Sequence, residues 1–99
     1  TTDTAAALKA VELNADLLLM SKHGVDGVYD SDPNQNEEAK KFESVSYMDA
    51  LSKRLQVMDA TAISLCMNNQ LPIVVFDLLK EGNLMSILEG KKVGTEINE

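Results

Sequence analysis

The chain is short of positive charge, nearly free of cysteine, and has no long apolar run. Nine Lys and Arg stand against sixteen Asp and Glu, a formal net charge of −7. A pI near 4.6 leaves no basic stripe for a phosphate backbone or an anionic bilayer. Neither nucleic acid nor a membrane is therefore an expected partner. Any phosphate bound here must meet backbone N–H groups, a helix N-terminus, hydroxyls, or cations supplied from elsewhere. The one cysteine, Cys66, cannot close an intramolecular disulfide, which suits a reducing compartment. No apolar stretch approaches the ~20 residues of a membrane-spanning helix, and no charged segment precedes an apolar one as in a secretion signal. There is no cysteine pair for zinc and no Walker-type GxxxxGK.

What remains is the composition of a globular protein, 44% hydrophobic over 99 residues. That length suits one compact domain or part of a larger one, burying about 60% of its unfolded surface. The first residue is Thr, and Thr1-Thr2-Asp3-Thr4 already reads as a helix start. A piece of a longer protein is the expectation.

Helical spacing of Leu8, Val11 and Ala15 predicts a helix over 1–15. Asp16 to Ser21 is a continuous apolar run of strand length, expected to be covered on both faces as in a parallel sheet between helices. Phe42 to Val45 reads as a short strand, and Ser46 opens a helix with Asp49 completing an imperfect capping box. A helix over 58–69 places Met58, Ala62, Leu65 and Cys66 on one face. Pro72 to Phe76 is the clearest strand, with Pro tolerated at its start. A short helix over 82–89 and a last strand over 94–98 complete an alternation of helices and buried strands, so the class is α/β.

The chemistry concentrates in SKHGVDGVYDSDP, residues 21–33. Asp30, Asp32, Asn34 and Asn36 alternate as calcium ligands do, but Gln35 sits where an EF-hand needs glycine and Lys41 where it needs Glu. A solvated acidic loop is the better reading. A phosphoryl-acceptor domain would need Asp at the end of the first strand, where Leu19-Met20-Ser21-Lys22 stands. Cys66 falls on an apolar helix face, and His23 has no nucleophile near it in sequence. Two features keep a functional and a plain reading side by side. Thr1-Thr2-Asp3 either caps a helix or offers hydroxyls and N–H groups to an anion. The loop is either a turn rich in turn formers or a ligand cradle beyond a strand's carboxyl end. In the second case Gly24 and Gly27 let backbone approach a ring, Tyr29 offers an aromatic face, and Asp32 accepts from ribose hydroxyls.

VDGVYDSDP, preceded by a strand and by TTDTAA one helix earlier, closely resembles the amino-acid kinase superfamily. TTD-x-AA together with QVMD-x-TA points to its uridylate (UMP) kinase branch, and the likeness runs through LPIVVF to EGNLMSILEGKKVGTEI. It implies the family's α/β/α sandwich with a largely parallel sheet, and that residues 1–99 are its C-terminal, nucleotide-binding portion. It also implies transfer of the ATP γ-phosphoryl group to UMP, with Mg²⁺ held mainly by the nucleotide. By position, Thr1 and Thr2 would belong to the UMP site, and His23, Tyr29 and Asp32 to the ATP site. Asp3 would organise a catalytic lysine, and Asp59 would be a second acidic residue near the triphosphate. His23 replaces the family's usual Asn or Thr; a neutral imidazole can both donate and accept as an amide does. The family is cytoplasmic and typically hexameric. Its N-terminal lysine-and-glycine phosphate segment does not occur in these 99 residues, so this chain alone is expected to be inactive. A non-catalytic α/β nucleotide-binding or regulatory module is the alternative.

Overall fold

The computed structural model describes residues 2–22, 24–53, 55 and 58–99. Among them the order is α1 (Thr2–Glu12), β1 (Leu18–Ser21), β2 (Ser44–Ser46), α2 (Tyr47–Ser52), α3 (Ala60–Asn68), β3 (Ile73–Phe76), α4 (Asn83–Leu88) and β4 (Thr95–Asn98). The strands form one sheet in the order β1-β3-β4-β2. β1 pairs parallel with β3 and β2 parallel with β4, while β3 and β4 run antiparallel. The expected largely parallel α/β sheet is present.

Register explains the core. Ile73 lies opposite Leu18 on one side and Ile97 on the other, and Val45 opposite Ile97, so these residues share one face. Against that face lie Ala7 and Ala10 of α1, Ala50 of α2, and Ala62, Ile63 and Cys66 of α3. The small residues on α1 and α3 let two helices pack closely beside each other. Ile73, Val75 and Ile97 are wholly buried. Tyr47 is buried too, and its hydroxyl donates to the Leu71 carbonyl at 2.5 Å, satisfying the one polar group it brings inside.

Most element boundaries fall within a few residues of those read from sequence. Ser46 is the N-cap of α2, and its hydroxyl accepts from the Asp49 N–H at 3.0 Å, as the capping pattern required. The first helix stops earlier, at Glu12, where Asn14 takes a left-handed φ of 52°. Within these 99 residues, about 40% of the length of the relatives they match, β1 is covered on one face only. It is an edge strand whose residues alternate between partly buried and exposed, with Leu19 37% exposed. Leu18 and Met20 pack on the core, whereas Leu19 points to the face opposite the helices. The continuous apolar run marked the strand correctly.

Candidate functional site

Beyond the carboxyl end of β1 the chain folds back on itself as a small flap. Tyr29 and Lys41 form an antiparallel bridge. Asp30 N–H donates to the Lys40 carbonyl at 3.0 Å and Phe42 N–H to the Val28 carbonyl at 2.9 Å. The tip is built from the turn formers themselves. Asp32 accepts the Asn34 N–H at 2.9 Å, Asn36 accepts the Glu38 N–H at 3.0 Å, and Asp30 accepts the Lys40 N–H at 2.9 Å. These side chains hold local backbone, which is the plain reading of the acidic alternation.

The flap is fixed from a distance by Thr95, in β4. Its buried hydroxyl accepts from the Val28 N–H at 2.9 Å and donates to the Phe42 carbonyl at 2.5 Å, so it joins both arms of the flap. Gly27 lies against this hydroxyl, and a Cβ there would come 2.7 Å from it. Only a residue without a side chain lets the backbone pass.

Under the flap lies a cavity of about 630 Å³, whose lining includes Lys22, Gly27, Tyr29, Asp32, Lys53 and Leu55. That is the size of a small-molecule site. Tyr29 does not direct its hydroxyl into this space: it donates to Asp26 at 2.7 Å. Asp26 also meets the Lys41 ammonium at 3.7 Å. The Tyr29 hydrogen bond, aided by Lys41, outweighs partial burial and holds the Asp26 carboxyl below its usual range. The same bond, with desolvation, pushes the Tyr29 phenol above its usual value.

A second cluster joins the starts of α1 and α3. Asp59, at the N-cap position of α3, donates its N–H to the Asp3 carboxylate at 3.1 Å and accepts from the Thr4 hydroxyl at 2.7 Å. Residues 55 positions apart thus stitch two helix N-termini together, where acidic groups are favoured by the helix dipoles.

Of the residues singled out from sequence, Tyr29 and Asp32 come together on the cavity, and Asp3 and Asp59 on each other. Thr2 is exposed at the start of α1. Thr1 and His23 lie outside the described residues. Gly24 has φ +76°, a left-handed turn that favours glycine. Cys66 is fully buried and burial pushes its thiol up, as befits a core residue. Sequence reasoning missed four participants. Lys22 and Lys53 line the cavity beside Asp30 and Asp32, and Lys53 also meets Asp49 at 3.8 Å, so this chain carries cations at the site that the sequence reading placed only elsewhere. Lys22 was detectable, since it directly follows a strand whose carboxyl end borders the site. Asp26 and Thr95 carried no local signal.

Fold and site together define an α/β domain with a ligand-sized cavity beyond the carboxyl end of a parallel strand. The chain belongs to the amino acid kinase family, whose model matches residues 1–77. It is 57% identical to a uridylate kinase of Deinococcus radiodurans over 97 residues, which is 98% of this chain and 40% of that protein. A uridylate kinase of Streptomyces avermitilis is 54% identical over 99% of this chain and 39% of its own length. The crystal structure of UMP kinase from Bacillus anthracis superposes with a TM-score of 0.96 at 41% identity, over 99% of this chain and 40% of that one. The chain therefore spans about 40% of the length of the curated relatives it matches.

Proposed function

We propose that residues 1–99 supply the ATP site, and part of the UMP site, of a longer kinase that transfers the ATP γ-phosphoryl group to UMP. The observation that carries this reading is the cavity lined by Tyr29 and Asp32, formed by a segment shared with uridylate kinases. In this reading the Tyr29 ring packs on the adenine, and the Asp32 oxygen not engaged with Asn34 accepts from the ribose. Lys22 and Lys53 offset the negative charge of the phosphates without contributing covalent chemistry, as phosphoryl transfer requires.

Asp3 cannot attract a phosphate, but it can fix the ammonium of a lysine that does, and the Asp59 N–H holds its carboxylate in place. Family likeness assigns Thr1 and Thr2 to the UMP site and His23 to the ATP site. Mg²⁺ supplies charge neutralisation on the triphosphate when bound. Among the described residues no group of three or more His, Cys, Asp or Glu could hold a metal ion. In this assignment the nucleotide carries the metal, and Asp59 acts through it or through a bound water. A cytoplasmic homo-oligomer, hexameric as is typical of the family, accompanies this reading.

Calorimetric titration of the intact kinase with ATP tests it. Tyr29→Ala and Asp32→Ala are each expected to weaken ATP by about tenfold or more, roughly 1.4 kcal/mol. Unchanged affinity in both variants would remove the flap from the ATP site. The 99-residue chain alone is expected to form no UDP from ATP and UMP, and measurable turnover would refute the division of labour proposed here. An intact protein that binds ATP through Tyr29 yet yields no UDP would instead favour a regulatory nucleotide-binding module.

A further inference from the structure

The carboxylate of Asp26 stands just outside the cavity, among residues that no catalytic role has been assigned. We propose that Asp26 is a positioning residue that turns Tyr29 so that its ring, not its hydroxyl, is presented to the nucleotide. The inference rests on reading the cavity as the ATP site.

Three observations converge on it. The Tyr29 hydroxyl donates to Asp26 Oδ1 at 2.7 Å, while Tyr29, and not Asp26, is among the cavity's lining residues. The phenol is thus held by a residue outside the lining, at the short distance of a hydrogen bond to an ionised acceptor. Asp26 is itself held: its other oxygen lies 3.7 Å from the Lys41 ammonium, and Lys41 is the residue bridged to Tyr29 across the flap. The Lys41 stem in turn runs past Gly27, where an added Cβ would come 3.0 Å from Lys41 Cδ. Carboxylate, phenol and ammonium therefore form one closed unit around the Tyr29–Lys41 bridge. Asp26 and Lys41 are each about one-third exposed, so their ion pair is screened, and the hydrogen bond to Tyr29 is the directional contact. Fixing a ring before the ligand arrives removes rotamer freedom that binding would otherwise have to restrict.

A double-mutant cycle on ATP kinetics in the intact kinase tests this. Asp26→Ala and Tyr29→Phe are each expected to raise the KM for ATP by about fivefold with kcat little changed, and the double variant by no more than either single. Asp26→Asn keeps an acceptor oxygen for the phenol and should recover most of what Asp26→Ala loses. Effects that multiply in the double variant would overturn the proposal. So would an Asp26→Asn enzyme as impaired as Asp26→Ala, or a loss confined to kcat. Should Asp26→Ala not fold, ultraviolet titration of Asp26→Asn, with its Tyr29→Phe derivative as blank, gives an independent reading. Removal of the neighbouring negative charge should make the Tyr29 phenol ionise at lower pH than in the unaltered protein. A phenol titration that does not move would also overturn the assignment.

Discussion

Gly94→Ala is expected to cost about 4 kcal/mol or more of stability, a large fraction of what a domain of this size possesses. Two effects add. Gly94 has φ +69°, where a residue with a Cβ is strained by roughly 1–2 kcal/mol. The Cβ would also fall well inside van der Waals contact of the Val75 carbonyl oxygen, and 3.0 Å from the Val75 carbonyl carbon and 3.1 Å from Phe76 Cα. These neighbours are backbone atoms of β3, in the middle of the sheet, and cannot swing aside like a side chain. Relief requires moving β4 away from β3, which strains the antiparallel pairing of Val75 with Thr95. In the intact protein, of which this chain matches about 40% of the relatives' length, roughly 2–4 °C per kcal/mol applies, and the melting temperature should fall by about 10 °C or more. A thermal melt within about 5 °C of the unaltered protein would show that the strand interface is softer than this geometry requires.

Thr95→Val should be nearly as damaging while preserving shape. The change removes one hydroxyl from a fully buried site and leaves the Val28 N–H and the Phe42 carbonyl without their partner. Each unsatisfied buried group costs about 1–3 kcal/mol, so a loss of roughly 2–5 kcal/mol is expected from denaturant unfolding. The damage should also reach ligand binding, because the same hydroxyl joins the two arms of the flap that carries Tyr29. In the intact kinase, ATP affinity should fall together with stability, and Thr95→Ser, which keeps the oxygen, should restore much of both. Equal stability of the Val and unaltered proteins would mean that water or a shifted backbone replaces the hydroxyl.

These two positions also show what the sequence made legible and what it did not. Elements announced by local chemistry were readable: Ser46 as a helix cap, Pro72 to Phe76 as a buried strand, and the Gly-Asp tract as a turn-rich segment, which borders the cavity. The contact of Asp3 with Asp59 was not foreseen: family likeness gave each a role near the phosphates, but 56 positions separate them. Thr95 lies 67 positions from Val28, in a stretch that reads as an ordinary terminal strand. Its importance comes from strand order, and strand order is a property of tertiary packing that no window of sequence contains. An apolar run records a preference for burial, but whether a second layer covers it depends on what else is packed there. Lys22 and Lys53 were overlooked because net acidity says nothing about where individual cations sit.

The antiparallel turn of β4 gives the domain an order of assembly. A ribosome delivers Tyr29 early and Thr95 almost at the end of this segment, so the flap can be pinned only after the intervening residues have emerged and β4 has slotted beside β3. Until then the Val28 amide and the Phe42 carbonyl lack their mutual anchor.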